Sequence, residues 1–247
     1  MWPIDLRLVK TFIAEHIGPD FHEKKLTKLK TLTLDTILKR KNPYLFKAKG
    51  AVTANDLIEA VLDATVSSGE ETIFGNFLEK IAIFVCKEAY DGKKSSTTGL
   101  DLEFQHDGRY YIVTIKSGPN WGNSDQIKKM QSNFTKAKKT LRTSGGIGKA
   151  EIVAIEGCCY GRDDSPEKGD YQKLCGQRFW KLMSGRNELY RELIEPLGAS
   201  ATERNATLVE IRAQKLNLFT KEFIDKFCDE GLINWDKLIR YNSSAKA

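Results

Sequence analysis

The stretch that decides the fold is GLDLEFQHDGRYYIVTIKSG, residues 99–118, which has the pattern of a β-hairpin. In its first strand Asp101 and Glu103 alternate with apolar residues, so both carboxylates share one face. The Asp-Gly pair at 107–108, between two apolar runs, is a strong signal for a tight turn. The second strand is almost entirely apolar until Lys116, as expected of a central strand covered on both sides.

Acids beside a lysine at the end of a buried strand suit a metal-dependent phosphodiesterase. Carboxylates hold Mg²⁺, which stabilises charge on the phosphate and lowers the pKa of an attacking water, while the lysine orients that water or steadies the transition state. The same spacing also fits an edge hairpin with a surface salt bridge, because acid–lysine strand pairs are common. The residues alone therefore leave both interpretations open.

The hairpin resembles the active-site hairpin of the PD-(D/E)XK nucleases, with Asp101 on one strand and VTIK (113–116) on the other. The continuation SGPNWGN (117–123) into a basic helix resembles type II restriction endonucleases of that superfamily. Weaker similarity lies at 68–79 and 175–180, so the resemblance covers a span of 40–195. It implies that Asp101 is a metal ligand and Lys116 the catalytic lysine.

One position departs from the family pattern. The motif has Asp or Glu two residues before the lysine, and this chain has Thr114, whose hydroxyl supplies no charge. Glu103 is one candidate for the missing acid, since it shares a face with Asp101. Glu79 is the other, because its segment 73–85 is apolar almost all round and a buried carboxylate needs a cation. For Glu79 the alternative is a surface acid paired with a neighbouring lysine.

The order of predicted elements favours an α/β fold with a PD-(D/E)XK nuclease-like core, a mixed central sheet flanked by helices. We expect helical additions at both ends, and divide the chain into a basic N-terminal arm (1–50), a nuclease core (51–195) and a C-terminal helical region (196–247). Within the core, Ser67-Ser68-Gly69 is expected to separate two helices, and residues 91–96 to form a polar connector.

A basic amphipathic helix is predicted directly after the hairpin. Its apolar stripe includes Met130 and Phe134, and its other faces carry Lys128, Lys129, Lys136, Lys138 and Lys139. Because this helix follows the lysine-bearing strand, we expect the cluster to contact DNA phosphates, which supply affinity but no sequence readout. The alternative is a face that is merely hydrated, as most basic helix faces are.

Base readout is expected within residues 158–186, where the candidates are Arg162, Gln177 and Arg178. Asn120 and Trp121, in the segment after the hairpin, are further candidate DNA contacts. Arginine and glutamine match guanine and adenine edges in the major groove. Gln177 and Arg178 are expected to flank a strand-like Phe179-Trp180. The alternative is that these polar loops simply face water.

Composition agrees with this hypothesis. The 247 residues carry a net charge of +6, which suits a polyanionic partner. No apolar run is long enough to span a membrane, and the N-terminus lacks the features of a signal peptide, so we expect a cytoplasmic protein. The five cysteines form no Cys-x-x-Cys pair and are expected to be reduced core residues rather than zinc ligands.

The sequence thus predicts a Mg²⁺-dependent, sequence-specific type II restriction endonuclease, with Mn²⁺ as a possible substitute. It would cut double-stranded DNA to leave 5′-phosphates, at a site resembling those built around GGNCC. A palindrome needs two active sites related by a two-fold axis, so we expect a homodimer. In a restriction-modification system, a cognate DNA methyltransferase would act on the same site without stable binding. The alternatives are a repair or recombination nuclease and a catalytically silent DNA-binding protein.

Overall fold

The structure is a computed structural model that describes residues 4–144, 147–148, 150–199 and 201–245. The chain folds as two compact units, each built from two separate stretches. Unit 1 comprises Met1–Ile17 and Phe74–Ala199, and unit 2 comprises Gly18–Ile73 and Ser200–Ala247. The segments expected from the sequence follow the chain from end to end, and that division stays a prediction.

Helices occupy most of the chain. They are α1 (Leu6–Ile17), followed by a π-helical turn (Gly18–Glu23), α2 (Lys24–Thr31), α3 (Leu34–Arg40), α4 (Pro43–Ala48), α5 (Ala54–Tyr90), α6 (Ser124–Ser144), α7 (Gln177–Ser184), α8 (Leu189–Glu192), α9 (Ile194–Gly198), α10 (Ala201–Phe227) and α11 (Trp235–Ser243).

Unit 1 contains a five-stranded mixed sheet. Its strands, in spatial order, are β1 (Lys93–Lys94), β2 (Leu102–His106), β3 (Arg109–Lys116), β4 (Glu151–Cys158) and β5 (Gln172–Cys175). The first three pair antiparallel, whereas β3, β4 and β5 are parallel. The sheet, with its flanking helices, confirms the predicted fold class. The expected connector at 91–96 is corrected, because Lys93 and Lys94 pair with β2 as an edge strand.

The predicted hairpin is present, with the Asp-Gly pair at its turn. His106 pairs with Arg109, which leaves a two-residue turn of Asp107 and Gly108. Their φ angles are 47° and 73°, and this left-handed pair matches the right-handed twist of the flanking strands. The turn fixes the register, and Leu102 therefore faces Val113 across the ladder.

Helices cover both faces of the sheet. On one face, Met130 and Phe134 of α6 pack with Ile112 and Ala154 in a buried apolar cluster. This confirms the predicted apolar stripe of the helix after the hairpin. The opposite face carries Phe104, whose ring stacks on that of Tyr90 from α5, with ring centroids 5.3 Å apart. Both faces of the central strands are therefore buried, as their solidly apolar sequence requires.

The expected interruption at Ser67–Gly69 is wrong, since α5 is one helix of 37 residues. The Ser68 hydroxyl donates to the Ala64 carbonyl at 2.8 Å, and the Thr72 hydroxyl donates to the Ser68 carbonyl at 2.9 Å. Each hydroxyl donates to the carbonyl four residues earlier, an arrangement that is compatible with a continuous helix. Thr53 does cap the helix, because its Oγ1 accepts the Asp56 N–H at 3.1 Å.

The strand-like interpretation of Phe179-Trp180 is also wrong, because both residues lie in α7. Phe179, Trp180 and Met183 are buried, which is helical spacing. Gly157 of β4 allows this packing: a Cβ there would lie 2.3 Å from the Phe179 ring. The strand of this region is instead β5, which ends two residues before Gln177.

Unit 2 is helical around its own apolar core, apart from the short antiparallel pair β6 (Cys228–Asp229) and β7 (Leu232–Ile233). The core side chains include Ile37, Ile58, Leu62, Phe219 and Phe223. In the described ranges no helix is both long and apolar enough to cross a membrane. The five cysteines are free thiols, and all except Cys228 are buried.

Candidate active site

The hairpin holds Asp101 by one carboxylate oxygen. The residue lies just before β2, and its N–H donates to the Val113 carbonyl at 2.9 Å. Its Oδ2 accepts the Ile115 N–H at 2.6 Å and the Thr114 hydroxyl at 3.1 Å. Oδ1 accepts no hydrogen bond from any residue that the structure describes. The carboxylate is therefore oriented by β3 but keeps one oxygen available.

Thr114, where the resemblance leads us to expect an acid, is buried and donates its hydroxyl to Asp101. A hydroxyl that donates to a carboxylate restricts the rotation of that carboxylate, but it brings no negative charge of its own. Thr114 consequently supports the orientation of Asp101 and adds no charge beside it.

Glu79 is electrostatically coupled to this end of the hairpin. Burial and the charge of Asp101 raise the pKa of Glu79 above its usual value, whereas Lys94 and Lys116 act in the opposite direction. Helix α5 closely approaches the end of β3, as shown by the distance of 3.3 Å that a Cβ on Gly75 would have from the Cβ of Ser117. Glu79 lies one turn after Gly75, so the helix and the strand together bring two acids and a lysine into one region.

Glu103, the other candidate acid, is differently placed. It is 6% exposed, its Oε2 accepts the Tyr110 hydroxyl at 2.5 Å, and its Oε1 accepts the hydroxyl of Ser95. Burial, together with the hydrogen bond to Glu103, raises the pKa of Tyr110 above its usual range. Both carboxylate oxygens are thus occupied by protein hydroxyls, in contrast to Asp101.

An acid that sequence reasoning missed lies on β4. Glu156 pairs with Thr114 across the parallel ladder and is 2% exposed. Its Oε1 accepts the Trp121 indole N–H at 2.8 Å and lies 3.1 Å from Nζ of Lys173. The sequence did contain a signal, since Glu156 is a lone acid within an otherwise apolar run.

Two of the predicted DNA contacts lie in the segment after β3, and they differ in exposure. Asn120 is exposed, whereas Trp121 is half-buried, with its N–H directed to Glu156 and its ring centroid 4.9 Å from Nζ of Lys116. Asn120 is therefore free to meet a ligand, while Trp121 already has partners within the protein.

The predicted base contacts come together. Arg162, Gln177 and Arg178 line one cavity of about 490 Å³, with the exposed Tyr160 and Tyr190 at its wall. The cavity offers both positive hydrogen-bond donors and negative acceptors, because acidic residues of the 161–164 loop line it together with the two arginines. A concave site with convergent polar groups is suited to binding a ligand.

The lysines of α6 are mostly exposed. This is true of Lys128, Lys129, Lys136 and Lys139. Lys138 is half-buried and donates from Nζ to the Asp170 carbonyl at 2.6 Å. Lys138 and Lys139 also line a groove of about 440 Å³ along the helix, together with Arg142. Four of the five predicted lysines are thus exposed to solvent on α6, whereas Lys138 is directed to the backbone of Asp170.

The donor chemistry near Asp101 fits a hard divalent cation. Among the described residues, no three or more His, Cys, Asp or Glu side chains are grouped so as to hold a metal ion. Mg²⁺ does not need such a cage, since it is usually bound by one or two carboxylates together with waters and substrate phosphates. Asp101, with its available oxygen, and Glu79 are two such carboxylates.

Comparison with known proteins gave one family. A family model described as type II restriction endonuclease EcoO109I matches residues 7–205, which is most of the chain and includes the whole five-stranded sheet. A search of curated proteins found no match.

Proposed function

The chain belongs to the family of the type II restriction endonuclease EcoO109I, and from this membership we propose that it cuts duplex DNA at a specific sequence in a Mg²⁺-dependent reaction. The cut would leave 5′-phosphates, and Mn²⁺ would substitute for Mg²⁺. The observation that carries the proposal is the orientation of the Asp101 carboxylate by β3, with Glu79 and Lys116 electrostatically coupled in the same region.

The proposed site has the PD-(D/E)XK organisation with one substitution. Asp101 and Glu79 would hold Mg²⁺, with Glu79 taking the role of the acid absent at Thr114. Glu79 is favoured over Glu103, because both oxygens of Glu103 already accept hydrogen bonds from hydroxyls. When bound, Mg²⁺ supplies charge stabilisation at the phosphate and lowers the pKa of a coordinated water.

The chain's own residues carry out the remaining tasks. Ile115 N–H and the Thr114 hydroxyl keep Asp101 in one orientation. The Lys116 ammonium group would orient the attacking water or neutralise charge that develops on the phosphate. Because Lys116 ends a buried central strand, its backbone is fixed relative to Asp101, and pre-set geometry of this kind lowers the cost of reaching the transition state.

DNA would be bound by two kinds of surface. The α6 lysines would contact phosphates, which position the duplex without reading it. Asn120 and the cavity lined by Arg162, Gln177 and Arg178 would contact base edges, as arginine and glutamine do with guanine and adenine. A site resembling GGNCC is proposed on the resemblance described above.

A palindromic target requires two active sites, so we propose that the enzyme works as a homodimer in a restriction-modification system. Its cognate methyltransferase would modify the same sequence independently. Sedimentation of the protein with and without a short target duplex tests the dimer. A monomer bound to one duplex would contradict it.

The decisive experiment is incubation of the protein with phage DNA in Mg²⁺, in Mn²⁺ and in EDTA. Discrete fragments only with the divalent ions support the proposal, and ligation of the fragments tests for 5′-phosphates. A smear would favour a repair or recombination nuclease. A mobility shift without cutting would favour a catalytically silent DNA-binding protein, for which Thr114 is the argument.

A further inference from the structure

We propose that Glu156 is a positioning residue for Lys116 and acts through Trp121. Glu156 holds the indole N–H of Trp121, and the face of the Trp121 ring holds the ammonium group of Lys116. The inference rests on the proposed function, since it assumes that Lys116 serves the cleavage reaction.

The sheet places Glu156 on the same face as Lys116. Glu156 pairs with Thr114 on β3, and Lys116 lies two residues further along that strand. Side chains two residues apart in a strand point to the same side. Glu156 also pairs with Lys173 on β5. Register alone therefore brings the three charged groups to neighbouring positions on one face.

Glu156 is too deeply buried to be a surface acid. Only 2% of the residue is exposed, and an ionised carboxylate at such a position needs compensating partners. Lys173 supplies the charge, with Nζ 3.1 Å from Oε1. Burial opposes the charge on Lys173, yet the hydrogen bond and charge of Glu156 raise the pKa of Lys173. The pair thus anchors the active-site end of the sheet from behind.

This anchor holds the segment after β3 at two points. Nζ of Lys173 donates to the Pro119 carbonyl at 2.8 Å, and Glu156 accepts the Trp121 N–H at 2.8 Å. Trp121 is therefore held by the hydrogen bond of its own indole, and the backbone two residues before it is held by Lys173. An indole whose N–H is bound to a buried acid has a fixed ring plane.

The ring in turn limits where the lysine goes. Nζ of Lys116 lies 4.9 Å from the Trp121 ring centroid, within the range of a cation–π contact. Lysine has a flexible four-carbon chain, so without the ring its ammonium group would sample several positions. The contact therefore holds the amine at one place, and we expect its loss to lower the rate of cleavage rather than the affinity for DNA.

Four variants separate the steps of this argument. Trp121→Leu removes the ring, whereas Trp121→Phe keeps an aromatic face but loses the N–H. Glu156→Leu removes the acceptor, whereas Glu156→Gln keeps an oxygen for the indole. We measure the single-turnover cleavage rate at saturating protein in Mg²⁺, and the Kd for target DNA in EDTA.

Trp121→Leu should lower the rate by about tenfold to a hundredfold, the range expected for misplacement of a reacting group by about 1 Å. Its Kd should stay within about twofold. Glu156→Gln should recover most of the lost rate, because it keeps an oxygen for the indole N–H. Trp121→Phe and Glu156→Leu should slow cleavage to a similar extent, because each keeps an aromatic ring but loses the bond that holds it. Glu156→Leu combined with Trp121→Leu should be no slower than the slower single variant, because residues that act in series are not additive.

Several results would overturn the inference. These are wild-type cleavage by Trp121→Leu, rate losses that multiply in the double variant, or a loss of affinity that accounts for the loss of rate. The last would make Trp121 a DNA contact. If Glu156→Leu fails to fold, judged by urea unfolding, the comparison rests on the two Trp121 variants and Glu156→Gln.

Failure of this inference differs from failure of the proposed function. Lys116→Ala that cleaves normally would remove the proposed function and this inference together. Lys116→Ala that is inactive, beside Trp121→Leu that cleaves normally, would remove only the role of Glu156 and Trp121.

Discussion

Two carboxylates of the same hairpin, two residues apart, have opposite surroundings. Asp101 is held by one oxygen and leaves the other available, with the charges of Glu79 and Lys116 nearby. Glu103 is buried, and its two oxygens accept the hydroxyls of Ser95 and Tyr110. A shared strand face therefore does not make two acids equivalent. What distinguishes them is whether their lone pairs are already used by the protein.

The largest expected effect concerns Asp101 and Lys116. Asp101→Ala and Lys116→Ala should each lower the single-turnover cleavage rate by about 10³ or more, because each removes an electrostatic contribution at the reacting phosphate. Both variants should remain folded and bind DNA. Near-normal cleavage by either variant would show that the active site lies outside this hairpin. Asp101 would then have no functional role that distinguishes it from Glu103.

Next comes the comparison of Glu79 with Glu103 in cleavage. Glu79→Gln should slow cleavage by about a hundredfold, since it removes one of two proposed ligand charges. Glu103→Gln should cleave within about threefold of the native rate per folded molecule, because the oxygens of Glu103 already accept hydrogen bonds from hydroxyls. Glu88→Gln, an exposed change on the same helix, serves as the control. Equal losses for Glu79→Gln and Glu103→Gln would contradict the distinction.

Glu79→Gln should also change stability in a pH-dependent way. Burial and the charge of Asp101 raise the pKa of Glu79 in the folded state, so the folded state binds this proton more tightly than the unfolded chain. Stability from this group therefore falls as pH rises through that pKa. In EDTA, Glu79→Gln should have a higher Tm than the native sequence at neutral pH and an equal one at about pH 3, where both side chains are neutral.

At Glu103 the expected effect is on stability alone. Tyr110→Phe removes a hydroxyl that donates to a buried carboxylate oxygen, and should lower the free energy of unfolding by about 1–3 kcal/mol. Urea unfolding measures this change. Tyr44→Phe, which removes the hydroxyl of a tyrosine that is 60% exposed, is the control. A stable Tyr110→Phe protein with impaired cleavage would mean that Glu103 belongs to the active site after all.

The smallest effect for a single residue is expected in the α6 cluster, where contacts bind DNA without serving the chemistry. Each lysine that contacts a phosphate should reduce the log–log salt slope of binding by about 0.9 when replaced by alanine. For the cluster we expect at least two such contacts, with equal loss on target and random duplexes. Unchanged binding after replacement of all five would place the DNA elsewhere, and the N-terminal basic arm would be the next candidate.

The hairpin could be predicted because its information is local. Alternation of apolar and acidic residues, an Asp-Gly pair and a lysine at a strand end are each visible within 20 residues, and the structure forms the hairpin there. The apolar face of α6 could likewise be predicted, because its apolar residues recur at helical spacing. The continuity of α5 across Ser67–Gly69 could not be predicted, because it depends on hydroxyls that bond inside the helix.

The environment of each acid could not be predicted from the sequence. Pairing of Glu156 with Thr114, and of Lys173 with Glu156, depends on the order of parallel strands separated by long connections. The same holds for Phe179 and Trp180, whose apolar pair fits a strand or a helix equally well. That Arg162 and Gln177 line one cavity is also a long-range result.

The turn of Asp107 and Gly108 limits which changes in length the gene can tolerate. An insertion there either lengthens the turn or, if the ladder absorbs the extra residue, slips β2 by one position and exchanges the faces of its side chains, because β3 is held by β4. Asp101 would then point away from Lys116, although every residue of the motif would still be encoded. Relatives that differ in length are therefore expected to gain or lose residues in exposed loops such as 161–164, and to keep this turn at two residues.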